Sequence, residues 1–232
     1  MDFEPVAGGR TDELSPARRR RRDIVEITIG YGLVLVVLWT PRPWQQAFFF
    51  ITAIFLAFAF LRSWPGRDEM GLRVANLMRS IWIALVAVAF AASAIAIAAS
   101  LHTLKWPGGL VPFLHRYLGY AIWAFFQQVL LQGFFLFRFR RLMGAPWSAA
   151  LAAAGLFALA HLPNPTLTIA TIIWGLGSCL LFLRYRNLYP LALAHAILGI
   201  TIAITIPGSI TRNMRVGLGY IAYGRQAHHL SH

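Results

Sequence analysis

The chain has 232 residues, 58% of them hydrophobic and 12% charged, roughly half the charged fraction of an ordinary soluble domain. That balance excludes a water-soluble fold, because too much apolar surface would face water; lipid must be the solvent for much of the length. The formal charge of +13 lies in short Lys/Arg clusters between long apolar runs, a placement that fits cytoplasmic loops and anionic headgroups and argues against nucleic acid as a partner.

In chain order, residues 1–23 are mostly polar and include Arg18 to Arg22 in succession. They read as a disordered basic cytoplasmic arm, and no short apolar stretch with a cleavage site marks a signal peptide. A bilayer core of about 30 Å takes roughly 20 mostly apolar residues per helical span. On that scale seven spans are expected, near 24–40, 44–62, 80–101, 117–137, 147–162, 166–183 and 188–206. The first three make an N-terminal transmembrane section over 24–116. The fifth and sixth are short and meet at Pro163-Asn164-Pro165, a turn signature. Residues 208–232 read as a surface tail. The expected class is all-α, a polytopic transmembrane helical bundle of about seven spans. With the N-terminus inside, 15 of the 21 Lys and Arg residues fall on the cytoplasmic side, which supports N-in, C-out.

All eight acidic residues lie at or before Glu69, and none follows from Met70 to His232. Chemistry in the second half that needs a carboxylate must borrow it, and Glu26 is the sole acid well inside a predicted span. A single cysteine, Cys179, excludes an internal disulfide and a cysteine-rich metal site; it reads as a packing residue. Polar side chains in a span carry a functional hypothesis by default. The fourth span holds Gln127, Gln128 and Gln132. Gln128 and Gln132 share a helix face, and Gln127 sits about 100° away. His161 ends the fifth span and His195 lies in the seventh, at different depths when measured from the span ends. Each polar group alone is explained by interhelical hydrogen bonding; together on three spans they suggest convergence. His102 and His115 carry no clear signal, and His228, His229 and His232 read as solvated tail residues. Gly175-Leu176-Gly177-Ser178 reads as close helix packing rather than as a Ser178–His195 dyad.

Three motifs carry a resemblance. Gln127-Gln128-Val129-Leu130-Leu131-Gln132-Gly133-Phe134 is followed by Phe157-Ala158-Leu159-Ala160-His161 and then by His195-Ala196-Ile197-Leu198-Gly199. In order, spacing and apolar context, residues 117–207 resemble the core of the CAAX prenyl protease and bacteriocin-processing (CPBP) intramembrane proteases. The family motifs are a Glu-Glu pair followed by Arg, then Phe-x-x-x-His, then His-x-x-x-Asn or Asp. The resemblance therefore implies that Gln127 and Gln128 stand for the glutamates, Gln132 for the Arg, and Gly199 for the Asn. Phe157, His161 and His195 keep the family residues. It also implies a bacterial inner (plasma) membrane, with membrane lipid and a transmembrane or lipidated protein as partners.

A glutamine amide cannot take a proton at working pH, so it cannot be a general base. It can orient a water or donate to an oxyanion. Two functions from different classes follow. One is an endopeptidase with an altered site, in which His161 and His195 activate the water with help from Gln127 and Gln128. The other is a non-catalytic pseudoprotease that binds a transmembrane or lipidated peptide. A transporter using the His/Gln cluster ranks third. No cofactor is required; if a metal binds, His161 and His195 are its candidate ligands, and two ligands make a weak site.

Overall fold

The computed structural model describes residues 15–229 except Pro65, Arg73 and Ala75, and every regular element among the described residues is helical. Most of the expected basic arm (residues 1–14) lies outside the described residues, as do His232 and the side chains of His228 and His229. Its described end is helical, because α1 (Pro16–Trp39) begins inside it. Ser15 is the N-cap, its side chain accepting from the Arg18 N–H at 3.4 Å, and Pro16 takes a first-turn position where its missing N–H costs nothing.

The remaining helices follow the apolar segments. They are α2 (Trp44–Arg62), α3 (Leu77–Ser100), α4 (Leu110–Met143), α5 (Pro146–Leu159), α6 (Pro165–Tyr185) and α7 (Tyr189–Thr205). After α7 the chain bends by 118° into Gly208–Met214 and continues as α8 (Gly217–His229). By length and composition α2, α3, α4 and α6 can each cross a bilayer, and α7 with its bent extension makes a fifth span. Among the described residues, four or five of the expected segments are thus long and apolar enough to cross on their own. α1 falls short because its first half carries Arg18 to Arg22, Asp23 and Glu26. α5 falls short because its 14 residues rise only about 21 Å at 1.5 Å per residue. All seven segments are nonetheless helices of one membrane bundle.

The charges of α1 have partners at the far end of α4. Arg138 is fully buried; its Nε and one terminal nitrogen donate to Glu26 at 2.9 and 2.6 Å. The same guanidinium donates to the Ala59 and Phe134 carbonyls and lies 3.8 Å from the Phe134 ring centroid. One turn on, Arg141 pairs with the buried Asp23. These contacts join α1, α2 and α4.

Elsewhere small residues set the spacing. Ala149, Ala150, Ala153 and Ala154 on α5 are fully buried, and α6 packs closely against this face. A Cβ at Gly175 would lie 3.3 Å from Ala154, the close approach that small residues permit between spans. α3 and α4 both pack on α7. The start of α7 is not at the surface, since Asn187 and Leu188 are fully buried and the Leu188 N–H donates to the Gly71 carbonyl at 3.0 Å.

Removing one partner of a buried ion pair strands the other charge, at a cost of about 3–5 kcal/mol. Glu26→Ala should therefore lower the unfolding temperature of the detergent-solubilised protein sharply. Replacing both partners, as in Glu26→Leu with Arg138→Met, should restore most of the loss. A single variant as stable as the parent would show that the pair does not hold α1 to α4.

Candidate active site

The site is built on a change of helical pitch in α4. Val129–Leu136 is π-helical, eight residues inside an otherwise α-helical rod, and such segments are frequent at functional sites. Gln128 is the last residue before it and Gln132 lies within it. Both are buried, as expected for amides that lipid cannot satisfy. Gln127 is half-buried and points elsewhere, into a cavity.

The buried amides form one chain of hydrogen bonds. The Ser178 hydroxyl donates to the Gly175 carbonyl at 3.1 Å. Gln132 Nε2 donates to Ser178 Oγ at 3.2 Å and to Gln128 Oε1 at 3.1 Å. Gln128 Nε2 then lies 3.2 Å from His195 Nδ1. An amide nitrogen only donates, so Nδ1 of His195 accepts, and the neutral ring carries its proton on Nε2. Gln132 Oε1 is left buried with no partner, a cost of about 1–3 kcal/mol. The chain crosses α4, α6 and α7.

His161 has the opposite arrangement. Its Nδ1 lies 2.7 Å from the Phe157 carbonyl one turn earlier. A carbonyl only accepts, so Nδ1–H donates and Nε2 keeps a free lone pair. The two rings meet Phe157 edge to face, His161 with centroids 4.9 Å apart and His195 at 5.7 Å. The two motif histidines, one just past the end of α5 and one in α7, thus flank one aromatic ring.

His161, His195 and Gln127 line a cavity of about 1490 Å³. Its walls are otherwise largely apolar, with Tyr120 from α4 and Thr171 and Trp174 from α6 among the exceptions. Gln128 and Gln132 lie behind this wall, and no Asp or Glu is among the lining residues. Glu26 is held by Arg138, away from the histidines, so the idea that it could serve as the missing acid loses its basis. Among the described residues no three His, Cys, Asp or Glu side chains come together as a metal site. His102 and His115 are exposed and apart from the cluster.

Two participants were not legible from spacing. Ser178 anchors the amide chain rather than serving packing alone, and its hydrogen bonds go to Gln132 and Gly175. Tyr120 sits two turns before Gln127 on α4 and reaches Gly199 on α7; its hydroxyl occupies the place a Cβ of residue 199 would take. Both links join helices far apart in sequence, which no local pattern signals.

The tautomers can be read directly. In protein labelled with ¹⁵N-histidine, His195 should show a protonated Nε2 and a bare Nδ1, and His161 the reverse. Gln128→Glu puts an acceptor opposite Nδ1 and should exchange the tautomer of His195 while leaving His161 unchanged. No change at His195 would mean that this hydrogen bond is not made.

Residues 109–201 match the model of a family described as type II CAAX prenyl endopeptidase, Rce1-like, a stretch that holds all three motifs. No curated protein and no solved structure matches the chain.

Proposed function

We propose, from the match of residues 109–201 to the Rce1-like type II CAAX prenyl endopeptidase model and from the helical membrane bundle, that the chain is an intramembrane protease homologue that hydrolyses peptide bonds near the lipidated or membrane-embedded ends of proteins. The observation that carries this reading is the pairing of complementary imidazoles in one apolar cavity. His161 presents a lone pair on Nε2 and His195 presents an N–H there.

The chemistry follows from those two atoms. His161 Nε2 takes a proton from water as the water oxygen bonds to the scissile carbonyl carbon. The carbonyl π electrons move to oxygen, and the resulting oxyanion accepts from His195 Nε2–H. Collapse of the tetrahedral species breaks the C–N bond, and His161 returns its proton to the leaving amine. A positioned base contributes about 10²–10⁴ in rate and one oxyanion donor about 10²–10³. Gln127, the amide that faces the cavity, orients the water. Gln128 acts indirectly, by fixing the tautomer of His195. The large apolar walls suit an isoprenoid chain or a transmembrane segment, whose transfer from lipid carries little desolvation cost. On this reading the substrate is a membrane protein reached through lipid. The basic residues favour a cytoplasmic N-terminus, and the family resemblance favours a bacterial inner membrane.

One observation favours binding without cleavage: the cavity wall has no carboxylate, and the family resemblance expects a glutamate base at the position of Gln127 or Gln128. Without an adjacent anion, neither imidazole is made more basic. A single experiment separates the two readings. The full chain in proteoliposomes is given an internally quenched peptide with an S-farnesyl cysteine four residues from its C-terminus, the C-a-a-X arrangement of prenylated tails. Cleavage should fall at least about 10²-fold in His161→Ala and in His195→Ala, and Gln127→Glu should raise it by supplying a base. If the peptide binds but is cut no faster by the parent than by the double alanine variant, the pseudoprotease reading replaces this one.

A further inference from the structure

Gly199 follows His195 by one helical turn, so both positions share a face of α7. Both line the cavity. At Gly199 the space beside the backbone is not open. The Tyr120 hydroxyl lies where a Cβ would be, and its ring carbons Cζ and Cε1 are 2.5 and 2.8 Å from that point. A glycine is therefore required there by the tyrosine, and the tyrosine fits there only because of the glycine. Tyr120 comes from α4, two turns before Gln127, and it too lines the cavity. The pair delivers one polar O–H group, on a rigid ring from a different helix, to the wall beside Gly199, one helical turn from His195.

We propose that Tyr120 is a catalytic residue of this site: its hydroxyl donates to the carbonyl oxygen of the bound peptide bond and, with His195, to the oxyanion that develops there. This rests on the peptidase reading above. A phenol suits the task. Its O–H is a stronger donor than an amide N–H, and two χ angles place it with little entropy to lose. The oxygen of a peptide carbonyl can accept two hydrogen bonds, one from each lone pair, and His195 alone provides one. The same geometry explains why residue 199 carries no side chain: any Cβ would displace the donor.

The test uses the full chain in proteoliposomes and the S-farnesylated quenched peptide, with binding followed by anisotropy of a labelled form that lacks the scissile amide. Tyr120→Phe keeps the ring and removes the donor, so kcat should drop about 10²-fold or more with binding of the uncleavable peptide unchanged. Gly199→Ala should give a similar loss by pushing the hydroxyl aside. Tyr120→Ala with Gly199→Asn, which swaps the donor from one helix to the other, should recover at least about tenfold over Tyr120→Ala alone. That rescue guards against misreading a folding defect, because a damaged bundle would not regain rate by a second substitution. If the parent cleaves and Tyr120→Phe cleaves equally fast, Tyr120 is not a donor although the peptidase reading stands. If the parent itself does not cleave while it binds the probe, the peptidase reading falls and the assignment of Tyr120 falls with it.

Discussion

Arg138 and Glu26 form the contact on which the architecture and the chemistry both depend. A buried guanidinium with no anion would be untenable in a membrane bundle, and a buried carboxylate with no cation equally so. Their mutual bonds at 2.6 and 2.9 Å settle both and pin α1 to the far end of α4. The neighbouring Arg141–Asp23 pair repeats the connection one turn away. By fixing the end of α4, these pairs fix the register of the π-helical segment that precedes it and so the direction in which its amides point. They also remove the only acid that a predicted span could have offered to the site. Asp23 and Glu26 are used for structure, and the cavity is left to work with imidazoles and neutral amides.

A neutral site has its own logic. Where a carboxylate orients an imidazole, it accepts from Nδ1–H and leaves Nε2 as a base. A glutamine in the same place can donate instead, and the ring then turns its proton toward the cavity. The chain from Gly175 through Ser178, Gln132 and Gln128 makes that choice for His195. His161 is oriented by a backbone carbonyl, which any sequence supplies, and so it retains the accepting role. Two identical side chains thereby become an acid-side and a base-side partner through their hydrogen bonds alone, without a charge near either.

Much of this was legible in the sequence, and the physical reasons are plain. The apolar runs became helices because a backbone in lipid must satisfy its own hydrogen bonds. The i, i+4 spacing of Gln128 and Gln132 gave one buried face, and the Phe157–His161 spacing gave one helical turn, since both depend only on local geometry. Hydropathy alone does not show that α5 stops after 14 residues or that α1 turns its charges inward to α4. The meeting of His161 and His195 on the Phe157 ring was hidden because it depends on how α5 and α7 pack, which neither segment shows by itself. Ser178 was read as packing, and Tyr120 was not singled out, because each acts on a residue of another helix and a lone serine or tyrosine in an apolar run has no period to betray it.

The two neighbouring glutamines illustrate how far a single substitution can reach in such a setting. Gln127 and Gln128 are adjacent in sequence, yet one faces a cavity and the other is sealed behind its wall. A carboxylate at 127 would meet whatever water or ligand the cavity holds, and its charge could be solvated there. A carboxylate at 128 would be wholly enclosed, next to a Gln132 amide and with no cation among its hydrogen-bond neighbours. It would be tolerated only if His195 took up the proton opposite it, or if residue 132 became cationic. Gln128 and Gln132 are thus coupled, as are Gly199 and Tyr120, where a side chain on one excludes the other. The site is consistent as a set of neutral, paired choices, and changing one member shifts the demand onto its partner rather than restoring a charged site by itself.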